Sequence, residues 1–381
     1  MSTRSKKIVF IHNSARTFVS LRLDLARELQ SKGYTVSAAL PVDRIDSSQT
    51  IRDASIELME CSLSRTGIGP ISNLIYFFQL IKIIKTNQFD FVFLTTFKPI
   101  VFGNLALMVA HKKSTRAISM ITGLGYVFTY SSMKAKLIKT VMIPLLRFSL
   151  KQSAAIIFQN PDDQAFFLKY RLVDPARHNI LLMKGSGVDL DRFKTSPLPK
   201  TVCILMVARL LKDKGIFEFL AAARTLKKDY PEARFKLIAP RDENPSAIHR
   251  NQIVEFENEK SLEFVPGSSD IAKEISQSSI VVLPVHYREG SPKVLAEALA
   301  CGRPIITTEV PGCSQLVVDG ETGFLCKPQN LPSLLDTLRK FLKNPELIHQ
   351  MSAPARKFAE SELDIKKIAN RIVQEALESG R

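Results

Sequence analysis

At 381 residues, with 45% apolar and 24% charged side chains, the chain exceeds what one hydrophobic core serves and is too apolar for extended disorder, so two domains are expected. The five cysteines are odd in number and scattered, with neither Cys-x-x-Cys pairs nor zinc-spaced histidines. This excludes a disulfide framework and a structural zinc site and reads as reduced cytosolic thiols. The net charge of +16 is uneven, residues 1–190 carrying 25 Lys/Arg against 12 Asp/Glu and residues 191–381 carrying 28 against 25.

Short runs rich in Val, Ile and Phe alternate with segments of helical period, the pattern of parallel-sheet α/β domains. In the first half the strands are expected at Ile8–Ile11, Thr35–Leu40, Phe89–Thr95, Ala117–Ile121, Ala155–Phe158 and Ile180–Met183. Helices are expected over Val19–Ser31, Asn73–Thr86 and from Asn160, an N-cap followed by Pro161. From Ile75 to Lys151, 11 basic residues face one acid, Asp90, a block that attracts polyanions: nucleic acid, an anionic membrane surface or a phosphorylated acceptor. The segment Ser132–Lys151, with Lys134, Lys136, Lys139, Arg147 and Lys151 among apolar residues, is a candidate interfacial helix. The apolar run Ile8–Ile11 stops at His12, too short for a signal-peptide core, and no stretch reaches the roughly 18 apolar residues that span a bilayer. A cytoplasmic location with at most peripheral membrane contact is expected.

Pro197 and Pro199, within the polar segment Asp191–Thr201, mark a linker. It divides an N-terminal domain, 1–192, from a C-terminal domain, 200–381. The alternation restarts with strands expected at Val202–Val207, Phe235–Ala239, Leu262–Val265, Ile280–Leu283 and Pro304–Thr307 and helices at Ile216–Lys228 and Lys293–Ala300. A closing helix near Asp364–Leu377 could pack on either domain. The fold class is therefore α/β, two Rossmann-like domains facing across a cleft.

The most informative stretch runs from Arg288 to Ile306 and reads as loop, helix, turn and strand. Pro292 suits a helix start, so Gly290, Ser291, Lys293 and Val294 surround the positive end of a helix dipole, a natural seat for phosphate. Glu289 stands before that helix and Glu297 on it, placed to address sugar hydroxyls and a ribose diol of one long ligand. A second element, Val207 to Gly215, carries Arg209 and Lys214 directly after a strand.

Glu289 and Glu297 inside E-G-x-P-x-x-x-x-E-A-x-A-x-G-x-P resemble the donor signature of the large retaining GT-B glycosyltransferase family, and Arg209 with Lys214-Gly215 is similar to its R-x-x-x-x-K-G loop. The resemblance implies a hexosyltransferase that takes a UDP-sugar as co-substrate. It gives Arg209, Lys214 and Glu289 catalytic roles and makes Glu297, Gly290, Ser291, Pro292, Lys293 and Val294 the donor-binding set. Arg209 and Lys214 would neutralise the diphosphate as the glycosidic bond breaks. No cofactor or metal is implied: Asp189-Leu190-Asp191 imitates a metal-binding Asp-x-Asp, but its string Gly187 to Phe193 resembles the G-V-D-x-x-x-F that ends the family's first domain. In the N-terminal domain the corresponding loop after the first strand, with Ser14, Ala15 and Arg16, lacks glycine, and Thr122-Gly123 stands where some relatives have histidine. These five are candidate donor or acceptor contacts, and no catalytic base is assigned.

A narrower likeness, carried by Ser64-Arg65, Gly123-Leu124-Gly125 and Arg241 to Ser246, is to bacterial N-acetylgalactosaminyltransferases that extend sugars on undecaprenyl diphosphate. It implies a lipid-linked saccharide acceptor, GalNAc-type transfer in glycan assembly and a place on the cytoplasmic face of the inner membrane, where the basic first domain meets anionic lipid. Transfer from a GDP-sugar or UDP-hexose, or to a soluble acceptor, is the alternative within the class. Nucleic-acid binding and non-catalytic sugar binding are the alternatives outside it. A dinucleotide oxidoreductase is disfavoured because G-x-G-x-x-G follows neither Ile8–Ile11 nor Val202–Val207.

Overall fold

The computed structural model describes residues 4–43, 45–63, 69–124, 133–242 and 246–379. Of the strings that carried the narrower likeness, Ser64, Arg65, Gly125 and Glu243 to Pro245 lie outside these residues, as does Ser132. The chain forms two compact units, Met1–Gly187 with Ile365–Arg381 and Val188–Asp364, so the last segment belongs with the first unit and the division falls a few residues before the Pro-rich stretch.

In the first unit the elements are β1 (Lys7–Ile11), α1 (Ala15–Leu21), α2 (Leu23–Ser31), β2 (Thr35–Leu40), α3 (Ile45–Asp53), β3 (Glu57–Glu60), α4 (Pro70–Thr86), β4 (Phe91–Thr95), α5 (Phe97–Ala110), β5 (Arg116–Ile121), α6 (Met133–Leu150), β6 (Ser153–Phe158), α7 (Pro161–Lys169) and β7 (Asn179–Leu182). The strands form a parallel sheet in the order β3-β2-β1-β4-β5-β6-β7. Side chains alternate across it with period two. Ile8, Phe10, Phe91 and Phe93 enter the core beneath α1, α2 and α3, while Val9, Ile11, Val92 and Leu94 enter the one beneath α4, α5 and α6. Buried on both faces, the strands read as the unbroken apolar runs that located them.

Three features differ from the sequence expectation. The helix expected over Val19–Ser31 is two helices, broken at Arg22 where φ is −130°. β3 is an edge strand with one glutamate at each end, and such a short, half-exposed strand leaves no apolar run to read. In the segment Ser132–Lys151, expected as an interfacial helix, Leu146 and Leu150 are buried and Met142, Ile143 and Leu145 pack against the core, so these residues serve the fold, while the side chains of Met133, Leu137, Ile138 and Val141 lie outside the described residues.

The second unit runs β8 (Cys203–Val207), α8 (Ile216–Asp229), β9 (Arg234–Ile238), α9 (Arg250–Glu257), β10 (Glu263–Val265), α10 (Ile271–Ser276), β11 (Ile280–Leu283), α11 (Lys293–Ala300), β12 (Ile305–Thr308), β13 (Gly323–Cys326), α12 (Leu331–Lys343) and α13 (Glu346–Glu362). Its sheet is parallel in the order β10-β9-β8-β11-β12-β13. All five cysteines are buried as free thiols. After α13 the chain enters α14 (Ile365–Arg371) and a π-helical turn, Ile372–Leu377, whose Ile365, Ile368, Ile372 and Leu377 join the first unit's core. Among the described residues no helix is long and apolar enough to cross a membrane.

Candidate active site

In the second sheet the chain builds β8, β9 and β10 in one direction and then returns to lay β11 on the other side of β8. Connections leave neighbouring strands in opposite senses there, which opens a crevice at their carboxyl ends, the usual ligand position of an open α/β sheet. The two loops that flank this switch point are the two the sequence singled out.

The loop after β8 is fixed to its neighbour by backbone bonds, Leu210 N–H to the Pro240 carbonyl at 3.0 Å and Lys212 N–H to that of Ser246 at 3.1 Å. Arg209 donates to Asp242 at 2.7 Å, and that carboxylate is only 2% exposed, so the guanidinium is held from beneath by a buried charge. The loop then closes in a single turn, Lys212–Lys214, which Gly215 ends with φ of +79°. A Cβ on Gly215 would lie 2.1 Å from the Pro284 carbonyl oxygen, so only glycine lets the two loops approach this closely.

The loop after β11 is tied in the same way. His286 N–H donates to the Asp213 carbonyl and Glu289 N–H to the Pro311 carbonyl, each at 2.9 Å. Gly312, with φ of +84°, packs against the Glu289 backbone, where an added Cβ would meet the carbonyl oxygen at 2.2 Å. These contacts bring Lys214 and Glu289, 75 residues apart, into a direct charge-assisted hydrogen bond. The Lys214 residue is 9% exposed, and its ammonium stands over the Tyr287 ring at 5.7 Å. Burial, with the Glu289 charge nearby, holds the Tyr287 phenol protonated by raising its pKa. Behind them His286 lies 3.0 Å from Glu218. Burial alone would raise that carboxyl, but the hydrogen bond from His286, one from its own backbone N–H and the attraction of His286 together outweigh it and leave it below the usual range.

Glu297 lies on the second turn of α11, with Lys293 one turn earlier at 3.8 Å. Pro292 is the N-cap of that helix, one place before the first helical residue, and Gly290 is buried beneath the entrance. Glu289 and Glu297 thus stand beside different cations, Lys214 and Lys293. Such an arrangement offers charge-assisted donors and acceptors to a polar, anionic ligand. Asp189, of the Asp-x-Asp string, accepts the backbone N–H groups of Asp191 and Arg192, which makes it the cap of a local turn. Among the described residues no cluster of His, Cys, Asp or Glu is placed to hold a metal ion.

At the corresponding edge of the first sheet, Ser14 hydrogen-bonds to Asp43, and the same carboxylate accepts from Ala15 N–H at 3.0 Å and Arg16 N–H at 3.4 Å. The start of α1, expected to face donor or acceptor, is capped by the chain itself. Thr122 and Gly123 follow β5, and Gly123 has φ of +118°. Asp43, Tyr287 and Gly312 are not legible from the sequence, and Asp242 is legible only as part of the Arg241 to Ser246 string, without its tie to Arg209. Of these only the Pro311-Gly312 turn carried a local signal.

Residues 188–358 match the family model described as glycosyl transferases group 1, and residues 7–160 match glycosyl transferase 4-like. The chain is 28% identical, over 90% of its own length and 90% of the relative's, to N,N'-diacetylbacillosaminyl-diphospho-undecaprenol alpha-1,3-N-acetylgalactosaminyltransferase of Campylobacter jejuni. It is 24% identical, over 80% of each chain, to UDP-Gal:alpha-D-GlcNAc-diphosphoundecaprenol alpha-1,3-galactosyltransferase of Escherichia coli. The fold is similar to that of HepE from Anabaena in complex with UDP and glucose, with a TM-score of 0.76 at 17% identity over 97% of this chain and 98% of that one. Sucrose-phosphate synthase of Thermosynechococcus elongatus is equally similar, at 0.76 and 18% identity over 97% and 98%. The chain belongs to the GT-B glycosyltransferases, a glycosyl transferase 4-like domain followed by a group 1 domain, and is a hexosyltransferase.

Proposed function

We propose that the enzyme moves an N-acetylhexosamine, GalNAc in the first instance, from its UDP donor to a polyprenyl-diphosphate-linked saccharide during glycan assembly, with retention at the anomeric carbon. The observation that carries the donor side is the Lys214–Glu289 contact at the β8/β11 switch point, flanked by Arg209 and by Glu297. The acceptor class rests on the likeness to the Campylobacter enzyme, whose acceptor is a diphospho-undecaprenol.

When the bond between the sugar carbon and the diphosphate breaks, negative charge grows on the leaving phosphate oxygens. Lys214 and Arg209 are the cations that receive it. The acceptor oxygen forms its bond on the face the diphosphate leaves, and its proton passes to a departing phosphate oxygen, so no separate protein base is needed. Glu289 binds sugar hydroxyls and orients Lys214, and Glu297 anchors the ribose diol. No metal takes part, because the basic pair and the α11 dipole supply the positive field. A second reading, galactose in place of GalNAc, is favoured by the Escherichia coli relative, which is named for UDP-Gal.

The test supplies UDP-GalNAc, UDP-GlcNAc, UDP-Gal and GDP-sugars in turn with a short-chain polyprenyl-diphosphate saccharide, then follows product by mass and anomeric configuration by NMR. An axial product from UDP-GalNAc, formed equally in EDTA, is expected. An inverted product, or activity that EDTA abolishes and manganese restores, overturns the mechanism. Glu297→Ala is expected to raise KM for the donor about tenfold with a smaller change in kcat, since a lost hydrogen bond from a diol to a carboxylate costs about 1.5 kcal/mol.

A further inference from the structure

The helix α4 presents a surface that neither the core nor the donor site uses. Its inner face, Tyr76, Leu80, Ile81 and Ile84, is buried in the first unit's core. Its outer face carries Ile71, Leu74, Ile75 and Phe78, which are 49–74% exposed. Their spacing of three, four and seven residues places them on one side of the helix, and Lys82 and Lys85, both exposed, continue the same stripe. The helix contains no acid, and between residues 69 and 152 the one acidic residue is Asp90.

From this we infer that the α4 stripe docks the enzyme onto an anionic phospholipid bilayer, with Ile71, Leu74, Ile75 and Phe78 in the boundary between headgroups and acyl chains and Lys82 and Lys85 on lipid phosphates. Charge decides the occupant. A second copy seated on this stripe would bring Lys82 and Lys85 toward the same basic surface, whereas a lipid headgroup layer supplies the missing counter-charge. Lysine suits that depth, since its stem stays among apolar groups while the ammonium reaches outward. The neighbouring helices α5 and α6 cover the same sheet face. They expose Val109 and Phe148 toward their carboxyl ends, with Lys112, Lys113 and Lys151 following in the chain. The apolar part of α4 also starts at the carboxyl edge of the sheet, where Ile75 and Val42 line one groove together with Asp43 and Glu60. An acceptor whose lipid stays in the bilayer would present its diphosphate near that edge, and to that extent the inference rests on the lipid-linked reading of the acceptor.

Flotation of the full chain with phosphatidylcholine vesicles, with and without phosphatidylglycerol, tests it. Binding is expected to require the anionic lipid and to weaken with salt. Leu74→Ser with Phe78→Ser should lower partitioning at least about tenfold, and Lys82→Gln with Lys85→Gln about fivefold per lysine at low salt. Circular dichroism and transfer to a water-soluble short-chain acceptor should stay unchanged in both variants. Failure of the wild-type chain to float, or equal flotation of the variants, overturns the inference. So does a concentration-dependent dimer in sedimentation that the Leu74/Phe78 variant abolishes, which would give the stripe to a second copy. Vesicle binding without transfer to any polyprenyl-diphosphate acceptor would instead refute the proposed function and leave the docking surface standing.

Discussion

The two sheets of this enzyme have the same switch-point topology, β2-β1-β4 in one and β9-β8-β11 in the other, yet their carboxyl edges are opposite in electrostatic character. In the second unit the crevice gathers acid–base pairs: Arg209 on a buried Asp242, Lys214 on Glu289, Lys293 near Glu297. In the first, Asp43 is spent on capping α1, and His12, at the end of β1, is held neutral by burial and by the nearby Arg22 cation. Thr96, directly after β4, has φ of +72°, a strained backbone that only the surrounding fold maintains. Topology supplies the crevice in both units, and among the described residues it is the second that sets paired charges along it.

The sharpest way to break that contrast is to remove one polar side chain from each edge. Lys214→Ala is expected to lower kcat by about 10²–10³, the usual loss when a group that stabilises transition-state charge is removed. Ser14→Ala, at the equivalent edge of the first unit, should change it by less than about fivefold, since the hydrogen bond to Asp43 that it loses belongs to the cap of α1. Steady-state kinetics on both variants decides the matter. Equal losses would mean that both edges handle the diphosphate.

A smaller effect is expected at Gly312. Alanine there must adopt a positive φ and clear the Glu289 carbonyl, which an added Cβ would approach to 2.2 Å. Gly320→Ala is the control, because its φ is +78° but nothing lies within 4 Å. Strain alone costs about 1 kcal/mol. Gly312→Ala should therefore cost about 1–2 kcal/mol more in thermal unfolding. It should also lose activity that Gly320→Ala retains, because the displaced loop carries Glu289.

The second unit's edge was far more legible from sequence than the first's. Arg209, Lys214, Glu289 and Glu297 are legible because they sit in short strings that resemble the family's donor loops, and glycines in and beside those strings, Gly215 among them, are required by the close approach of backbone. The supports of those residues were not. Asp242 lies 33 positions from Arg209 and Asp43 lies 28 from Ala15, so their pairing exists only once the strands are in register. The strands are legible where both faces are buried, as in β1 and β4, and also at the edge strands β7 and β10, but not at β3, which is half-exposed between two glutamates, nor at β13, which is four residues long and opens on a glycine. The stripe on α4 is hidden in the sequence for a related reason. Its helix is apolar on nearly every side, so periodicity could not separate the face that packs from the face left outside. The more regularly basic α6 drew attention in its place.

The buried His12 at the first unit's edge matters in acid. Burial, reinforced by Arg22, lowers the His12 pKa from 6.5 to about 3, while Asn13 N–H donates to its Nδ1 at 2.9 Å. The depressed value means that the folded state keeps the imidazole neutral while the unfolded chain takes up a proton. This stabilisation is fully present above about pH 6.5 and is lost progressively as pH falls toward 3, at up to about 1.4 kcal/mol per pH unit. Carboxylates titrate in the same window, so the informative quantity is a difference. His12→Asn keeps an acceptor for the Asn13 amide and removes the titration. The wild-type chain should lose stability more steeply than this variant between pH 6.5 and 4.5 and run parallel to it above pH 7, read from thermal midpoints at each pH. Parallel curves throughout would place a protonated His12 in the folded state and give the first edge a charge that its burial argues against.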